Sequence, residues 1–398
     1  MQINTPNLFI EINELNYIFV AITIDDDQNI KILKKIITAS DGFNKNKFIN
    51  INQVSELIKK NVEIIETSLN HIFKEVTIII ENFNCTCVNI SGFKKLNGSQ
   101  LNKDNISYIL NSLKLAVTEN EKQKTILHIF NSKSVLDGIS IENLPIGLYG
   151  DFYNHQLTFF LIENNDYKNI RQIFNKNNLS VNKILLKNYS EGTQLINQNN
   201  SSETFYKLKI NKNSSYINYF YKAAFIHEEK FNFGTSIIFK DIEKICSINL
   251  DTIENAFSNK FALNSSVSDE FLEKKYFTNV NYRKIRKKLI IDIAKARINE
   301  IANIILTKNI NVQSFEKENC KIYINIQDKL IFNNFKENFK FFFSQNDNFE
   351  THLINNSEIE ESIKNTVNLS IYGWKKEAIP IIQTKSSLIT RIFKSLFE

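Results

Sequence analysis

The sequence of 398 residues is poor in the residues that most often form turns, with nine glycines and three prolines. An average protein has about 7% glycine and about 5% proline, so both are depleted several-fold here. Asparagine tolerates left-handed backbone and bonds to nearby backbone groups, so we expect it to occupy turns that glycine usually occupies. A site that needs glycine so that a ligand can approach the backbone is then at risk of being lost.

Cysteine, long apolar runs and strong net charge are also missing. Four cysteines are too few for a disulfide framework, and no Cys or His pattern completes a metal site. No apolar run reaches the ~18–20 residues of a membrane-spanning helix, and residues 1–4 do not begin a secretory signal, so we expect a cytoplasmic protein. The net charge of +6 is modest, and Lys alternates with acidic residues, so nucleic acid is not an expected partner.

Hydrophobic periodicity predicts an α/β chain in which one arrangement of strands and helices occurs twice. The first half is predicted to contain strands within 8–24 around a turn at 13–16, then a strand at 30–37, a helix at 54–73 and a strand at 76–80. A different segment follows, with a strand from 85, a helix at 104–117 and strands at 125–130, near 135 and at 155–162, and then a helix at 166–174 and a strand at 181–186. After a polar linker at 197–203, strands are predicted at 204–210, 215–221, 223–227, 321–325 and 367–372, and helices at 237–246, 252–260, 282–306 and 333–343.

The last thirteen residues, 386–398, have the pattern of an amphipathic helix. Six apolar residues share one stripe at helical spacing: Leu388, Ile389, Ile392, Phe393, Leu396 and Phe397. The opposite face carries Thr390, Arg391, Lys394 and Ser395, and its cations suit anionic lipid headgroups. The pattern predicts an interfacial membrane anchor, and the alternative is a terminal helix packed on its own domain.

Several segments resemble the FtsA family, which are actin-like proteins of bacterial cell division. ILHIF at 126–130, LDG at 136–138 and LPIGLYG at 144–150 are similar to the family's insert subdomain. FGTSIIFKDI at 233–242 resembles the family's entry into its second half. GWKKEAIP at 373–380, followed by the amphipathic segment, is similar to the family's linker and membrane-targeting helix. The resemblance covers nearly the whole chain in a consistent order.

This resemblance implies a two-lobed actin-like fold, which is a duplicated ribonuclease-H-like α/β plan. Residues 1–84 and 163–198 would form the first-half core, and 85–162 an insert subdomain for self-association. Residues 199–372 would form the second lobe, with a small subdomain at about 240–290. A linker at 373–385 would then lead to the membrane-targeting helix at 386–398.

The family's nucleotide site departs from its usual pattern in this sequence. Two hairpins hold phosphate in actin-like ATPases, and their glycines let backbone N–H groups approach the anion. The first hairpin slot reads Glu11, Ile12, Asn13 and Glu14, and the second reads Lys209, Ile210, Asn211, Lys212, Asn213, Ser214 and Ser215. The adenosine-side glycine pair is also replaced, within 324–328. We therefore expect a degenerate nucleotide site, no bound cofactor and no catalysis. The alternative is ATP with magnesium, because Lys209 and Lys212 could offset the lost backbone contacts.

The function that the resemblance implies is to tether the FtsZ ring to the cytoplasmic face of the membrane at the division site. The expected partners are the C-terminal peptide of FtsZ, an anionic membrane surface and further copies of the chain. The basic cluster Arg283, Lys284 and Arg286 is the predicted surface for the acidic-to-mixed FtsZ peptide, although such a cluster can also be a solvated helix face or a nucleic-acid contact. Two relatives of the same fold remain as alternatives, an active actin-like ATPase and a pilus-assembly protein that binds a short peptide and has no tail helix.

Overall fold

The computed structural model describes residues 5–27, 29–44, 46–81, 83–198, 203–259, 270–278, 280–315, 320–345, 349–355 and 359–380. The predicted amphipathic helix at 386–398, with all of its proposed membrane-binding residues, lies outside this part of the chain.

The first sheet joins an antiparallel three-stranded meander to two parallel strands. Its strands are β1 (Asn7–Ile12), β2 (Asn16–Ile24), β3 (Ile30–Ala39), β6 (Glu75–Ile80) and β11 (Ser180–Leu186), and a small hairpin is formed by β4 (Phe43–Asn44) and β5 (Lys47–Phe48). The strand order is β11-β6-β1-β2-β3, with β6 parallel to both β1 and β11. Both β1 and β2 are almost wholly buried, which fits their predominantly apolar sequences.

A second, antiparallel sheet is built mostly from the segment between β6 and β11. Its strands are β7 (Cys85–Lys95), β8 (Lys124–Leu136), β9 (Ile139–Ile141), β10 (Phe152–Glu163) and β17 (Glu377–Pro380). The order is β17-β8-β10-β7, and β9 pairs with the end of β8. One helix covers one face of this sheet and buries Ile109, Leu113 and Val117 in a core shared with Leu157 and Phe159.

The third sheet repeats the plan of the first. Its strands are β12 (Phe205–Ile210), β13 (Ser215–Tyr221), β14 (Ala224–Phe231), β15 (Cys320–Ile326) and β16 (Phe349–Ile354). The order is β14-β13-β12-β15-β16, and β15 is parallel to both β12 and β16. Each of the two sheets is therefore an antiparallel meander extended by two parallel strands, as the duplicated plan predicts.

Helices connect these strands at positions close to most of the predicted ones. They are α1 (Ile51–Leu69), α2 (Lys103–Asn120), α3 (Asn164–Asn175), α4 (Lys187–Gln198), α5 (Ser236–Cys246), α6 (Leu250–Ser258), α7 (Lys287–Ala302), α8 (Ile310–Ser314), α9 (Lys329–Phe343) and α10 (Ile359–Tyr372). Helix α1 begins because the Asn50 side chain accepts hydrogen bonds from the Asn52 and Gln53 amides. It ends at Asn70, which is left-handed at φ 48°.

Asparagine does replace glycine in the turns. Among the described residues, eight non-glycine residues have positive φ, and four of them are asparagines: Asn46, Asn70, Asn97 and Asn178. The prediction made from the low glycine content is confirmed at these positions.

The chain divides into two compact units. Among the described residues, the first contains those up to 198 together with 221–227 and 359–380, and the second contains 203–220 and those from 228 to 355. The tip of the β13–β14 hairpin thus belongs to the first unit, where Phe225 stacks on Phe160 with ring centroids 4.2 Å apart.

The predicted strand at 367–372 is wrong, because these residues form the end of α10, which belongs to the first unit. Apolar residues alternate at Val367, Leu369 and Ile371, which suggests a strand. However, Ile359, Ile363, Val367 and Ile371 also recur every four residues and pack together on Phe9 and Val20 of the first sheet. Since the four-residue spacing extends over a longer segment, the helical stripe prevails.

The predicted helix at 282–306 begins later than expected. Backbone bonds hold the preceding segment in an extended pairing with residues 270–272: the Leu272 amide donates to the Ile285 carbonyl at 2.9 Å, and the Lys287 amide donates to the Glu270 carbonyl at 2.8 Å. Helix α7 therefore starts at Lys287, and the basic residues at 283–286 precede it.

Two further predictions need correction. Residues 187–198 were not predicted to be helical, but they form α4, whose polar residues bond to α10: the Asn365 side-chain amide donates to the Ser190 carbonyl at 2.7 Å. Within the predicted linker 373–385, residues 377–380 form β17, which pairs with β8. The Glu377 side chain explains this pairing, as described below.

Candidate functional site

The first hairpin of the expected nucleotide site closes on its own asparagine side chain. Asn13 Oδ1 accepts hydrogen bonds from the Leu15 amide at 3.0 Å and the Asn16 amide at 2.8 Å. This is an Asx turn, and Asn13 holds it by side-chain bonding instead of by left-handed backbone, since its φ is not positive. Two N–H groups of this turn are therefore already satisfied, and the residues present do not fit a phosphate there.

A buried ion pair also lies at the first hairpin. Glu11 is buried and pairs with Lys187 Nζ at 2.5 Å, and it also accepts from Asn13 Nδ2 at 2.9 Å. Glu14 is not part of this ion pair. Its Oε1 accepts a hydrogen bond from the Asn46 amide at 3.0 Å. Lys187 was not predicted as a site residue, although it is the first residue after the apolar strand β11.

The second hairpin is also filled by protein groups. The Asn211 amide donates to the Ser214 carbonyl at 2.9 Å, and the Ser215 hydroxyl donates to the Phe233 carbonyl at 2.8 Å. Gly234 lies directly on the turn, where an added Cβ would be 2.1 Å from the Asn211 carbonyl oxygen. Lys209 is buried in the strand, whereas Asn213 is exposed at the turn.

The third degenerate segment, 324–328, lies where β15 passes into α9. The Asp328 side chain caps this helix by accepting from the Leu330 amide at 3.0 Å and the Ile331 amide at 3.1 Å. Its other oxygen accepts from the Thr235 hydroxyl at 3.0 Å, which links the starts of α5 and α9. Asp328 therefore has a structural role, and the turn at 234–236 rests on it.

The predicted partner-binding residues Arg283, Lys284 and Arg286 are exposed on the extended segment that precedes α7. Lys284 Nζ lies 4.9 Å from the centroid of the Phe271 ring, and Arg286 forms a β-bridge with Phe271. These three residues therefore form an extended basic segment and do not lie on a helix face.

A buried ionic cluster in the first unit was not predicted from the sequence. Glu377 of β17 has an Oε1 atom 2.9 Å from His128 Nδ1, and its Oε2 accepts from the Tyr189 hydroxyl at 3.3 Å. The side chains of Glu377 and His128 are 3% and 1% exposed, so the pair is shielded from water. The Leu186 amide donates to His128 Nε2 at 3.4 Å, which leaves Nδ1 to carry the proton toward Glu377.

The electrostatics of this cluster favour a charged Glu377. Burial alone raises the pKa of the Glu377 carboxyl, but the bond from His128, the charge of Lys183 and the bond from Tyr189 lower it overall. Burial lowers the pKa of Lys183, whose Nζ donates to the Leu369 carbonyl at 3.2 Å. A signal for the cluster was present in the sequence, since His128 and Lys183 interrupt apolar strands.

Neither a metal site nor a spanning helix is found within the described ranges. No group of three or more His, Cys, Asp or Glu side chains there could hold a metal ion. The helices described above are all too short or too polar to cross a bilayer.

Comparison with known proteins supports the fold more than the function. No family model matches the chain. The cell division protein FtsA of Buchnera aphidicola subsp. Acyrthosiphon pisum (strain APS) is 19% identical over 294 residues, which are 72% of this chain and 69% of that protein.

Among solved structures, a chain of the PilM-PilN type IV pilus biogenesis complex aligns with a TM-score of 0.55 at 8% identity, covering 92% of this chain and 98% of that chain. Ethanolamine utilization protein EutJ from Carboxydothermus hydrogenoformans aligns with a TM-score of 0.45 at 8% identity, covering 94% and 91%. The chain has an actin-like α/β fold, as predicted.

Proposed function

We propose that this protein is an FtsA-type scaffold that holds FtsZ at the inner face of the membrane through its C-terminal helix. The observation that carries the proposal is the sequence match to an FtsA protein over 72% of the chain. The six-residue apolar stripe at 388–397 lies outside the described residues, and its sequence pattern suits a membrane anchor. The actin-like fold is consistent with this function but does not by itself select it.

We assign a candidate surface to the FtsZ peptide and another to self-association. For the FtsZ peptide we propose the exposed cations Arg283, Lys284 and Arg286, in the small subdomain at about 240–290. For self-association we propose the insert subdomain, where the exposed rings of Phe93 and Phe152 stack 5.4 Å apart on the sheet face that α2 leaves open. Exposed stacked aromatic rings are typical of contact surfaces between proteins.

We infer that the scaffold does not turn over ATP, although the actin-like resemblance implies nucleotide binding. The first hairpin uses its Leu15 and Asn16 amides for Asn13, and Glu11 lies buried beside it. A phosphate would have to displace the Asn13 side chain and disrupt the ion pair between Glu11 and Lys187. The glycine losses and these contacts both argue against phosphate binding.

The membrane part of the proposal is tested by charge placement in the tail. Phe393→Asp puts a charge in the apolar stripe, and Thr390→Asp puts the same charge on the polar face. Six apolar side chains contribute at most ~1.5–3 kcal/mol each, and less at an interface, which exceeds the cost of ordering the helix only modestly. Phe393→Asp should therefore release the full-length protein from anionic vesicles in co-sedimentation, while Thr390→Asp should largely retain binding. If Phe393→Asp sediments like the parent protein, the tail packs on the body and the tether proposal fails.

The second candidate is a pilus-type adaptor that binds a peptide of a membrane protein. The structural alignment to the PilM-PilN complex at a TM-score of 0.55 favours it. The two candidates differ in what they bind, so an FtsZ C-terminal peptide that binds the full-length protein supports the scaffold. Lack of peptide binding together with a tail that does not bind vesicles would favour the adaptor.

A further inference from the structure

A small basic cavity of about 60 Å³ lies in the first unit, and its lining includes no residue of the first hairpin. Three segments line it: the bulged end of β8 with the loop after β9, the tip of the β13–β14 hairpin, and the segment before β17. Its lining includes four lysines, Lys133, Lys222, Lys375 and Lys376. Ser140 also lines the cavity, whereas the hydroxyls of Ser132 and Ser134 bond to Thr158 and Tyr153. Glu142 is the only acidic residue of the lining.

The hairpin tip that carries Lys222 has an unfavourable backbone conformation. Lys222 and Ala223 form a two-residue turn in which both φ angles are positive, at 46° and 66°. Such turns normally use Gly or Asn, because a side chain disfavours this conformation. Neither residue is of those types, and strained backbone of this kind is concentrated at functional sites.

Protein contacts hold this strained turn in place. The single tryptophan of the chain, Trp374, donates from Nε1 to the Ala223 carbonyl at 2.7 Å, and Ala223 is fully buried. Lys222 follows as a half-buried side chain at the cavity. The result is a lysine presented to the cavity at a conformational cost.

The opposite wall is fixed just as closely. The Asn131 amide donates to the Lys376 carbonyl at 2.7 Å, and Lys376 Nζ donates to the Glu142 carbonyl at 2.6 Å. The segment that carries Lys375 and Lys376 is thereby held against β8 and the loop after β9. Cations from three separate parts of the sequence thus surround one small space.

We propose that this cavity binds a phosphate-class oxyanion, either as a soluble phosphate or as a lipid headgroup. Four lysines supply positive charge and hydrogen-bond donors for such a group. Its volume is well below the ~300–1,000 Å³ of sites that enclose a whole small molecule, so a single anionic group enters and the rest of the ligand remains outside. The inference does not depend on the tether function, because the cavity contains no residue of the tail.

The test compares two double variants of the full-length protein that lose equal charge. Lys133→Gln with Lys222→Asn removes two cations from the cavity, and Asn suits the positive φ at position 222. The control, Lys60→Gln with Lys122→Asn, changes two exposed lysines that do not line the cavity. Unfolding midpoints in sodium chloride establish that both variants fold like the parent. Each protein is then measured in sodium phosphate against sodium chloride at equal ionic strength, and by co-sedimentation with phosphatidylglycerol vesicles.

Phosphate should raise the unfolding midpoint of the parent and of the control saturably, as ligand binding to the folded state does. The cavity variant should need about tenfold more phosphate for the same rise. If only vesicle binding separates the cavity variant from the control, the anion is a headgroup, and the proposal stands for that source. Equal behaviour of the two double variants in both measurements overturns it.

Discussion

A buried histidine should make the second sheet sensitive to mild acid. His155 lies on β10 between Ser134 of β8 and Gly92 of β7, and it is fully buried. Neither ring nitrogen has a hydrogen-bond partner among the described residues. The ring centroids of Tyr153 and His155 are 5.7 Å apart. Burial raises the pKa of the Tyr153 hydroxyl, so this neighbour is neutral at acidic and neutral pH. Desolvation is thus the dominant influence on His155, and it lowers the pKa to about 4 from 6.5.

The sign of the effect follows from this difference. Below about pH 6.5 the unfolded chain takes up a proton at this histidine, while the folded chain does so only near pH 4, so acid favours unfolding. The full effect is about 3 kcal/mol at pH values below both pKa values, and about 2 kcal/mol of it is already lost at pH 5. The contribution is complete at pH 7 and above.

Replacing the histidine should remove this part of the pH dependence. The variant His155→Leu keeps the site apolar and removes the group that takes up the proton. Between pH 7 and pH 5, the free energy of unfolding should therefore fall by about 2 kcal/mol less in this variant than in the parent. Urea unfolding of the full-length protein at both pH values measures the difference, and His71→Leu at a half-buried position serves as control. Parallel losses in the parent and His155→Leu would refute the reasoning, since other groups would then carry the acid effect.

Three more outcomes follow from the contacts described. Calorimetric titration of ATP with magnesium into the full-length protein should show no heat at sub-millimolar nucleotide, and a tight magnesium-dependent complex would contradict the degenerate site. Glu377→Gln should lower the free energy of unfolding by about 1–3 kcal/mol in urea titrations at pH 7, because buried partners lose their charged acceptor; an unchanged midpoint would show that the cluster contributes little. Arg283→Glu with Lys284→Glu should weaken FtsZ-peptide binding and its salt dependence together in fluorescence anisotropy, whereas Lys295→Glu with Lys308→Glu should not; equal effects of the two pairs would locate the peptide elsewhere.

The sheets could be predicted because their strands are long apolar runs bounded by polar turns. The β1–β2 hairpin follows directly from the apolar residues on both sides of Asn13, and β13 begins and ends where its pattern does. Helix α10 could not be predicted, because its apolar residues fit both a strand and a helix until Ile359 and Ile363 are included. Short windows leave such segments ambiguous.

The candidate site could likewise be predicted from the sequence only in part. Loss of glycine at the nucleotide hairpins is visible in the sequence, and the Asn13 side chain indeed bonds within its turn. What replaces the missing ligand contacts is not visible, because Lys187 and Glu11 are far apart in sequence. The Glu377 and His128 pair spans an even longer separation and depends on β17 joining the second sheet. Long-range pairs of this kind become evident only once the strand order is known.

The pairing of β17 with β8 determines how force would travel through an anchored molecule. After Pro380 only residues 381–385 precede the predicted anchor, a reach of roughly 20 Å at ~3.3 Å per residue. If the tail binds lipid, any pull between a membrane and a bound filament acts first on this short strand and its buried Glu377. The second sheet, and not the end of α10, would then bear the load, so the stability of this sheet would set the force at which the tether yields.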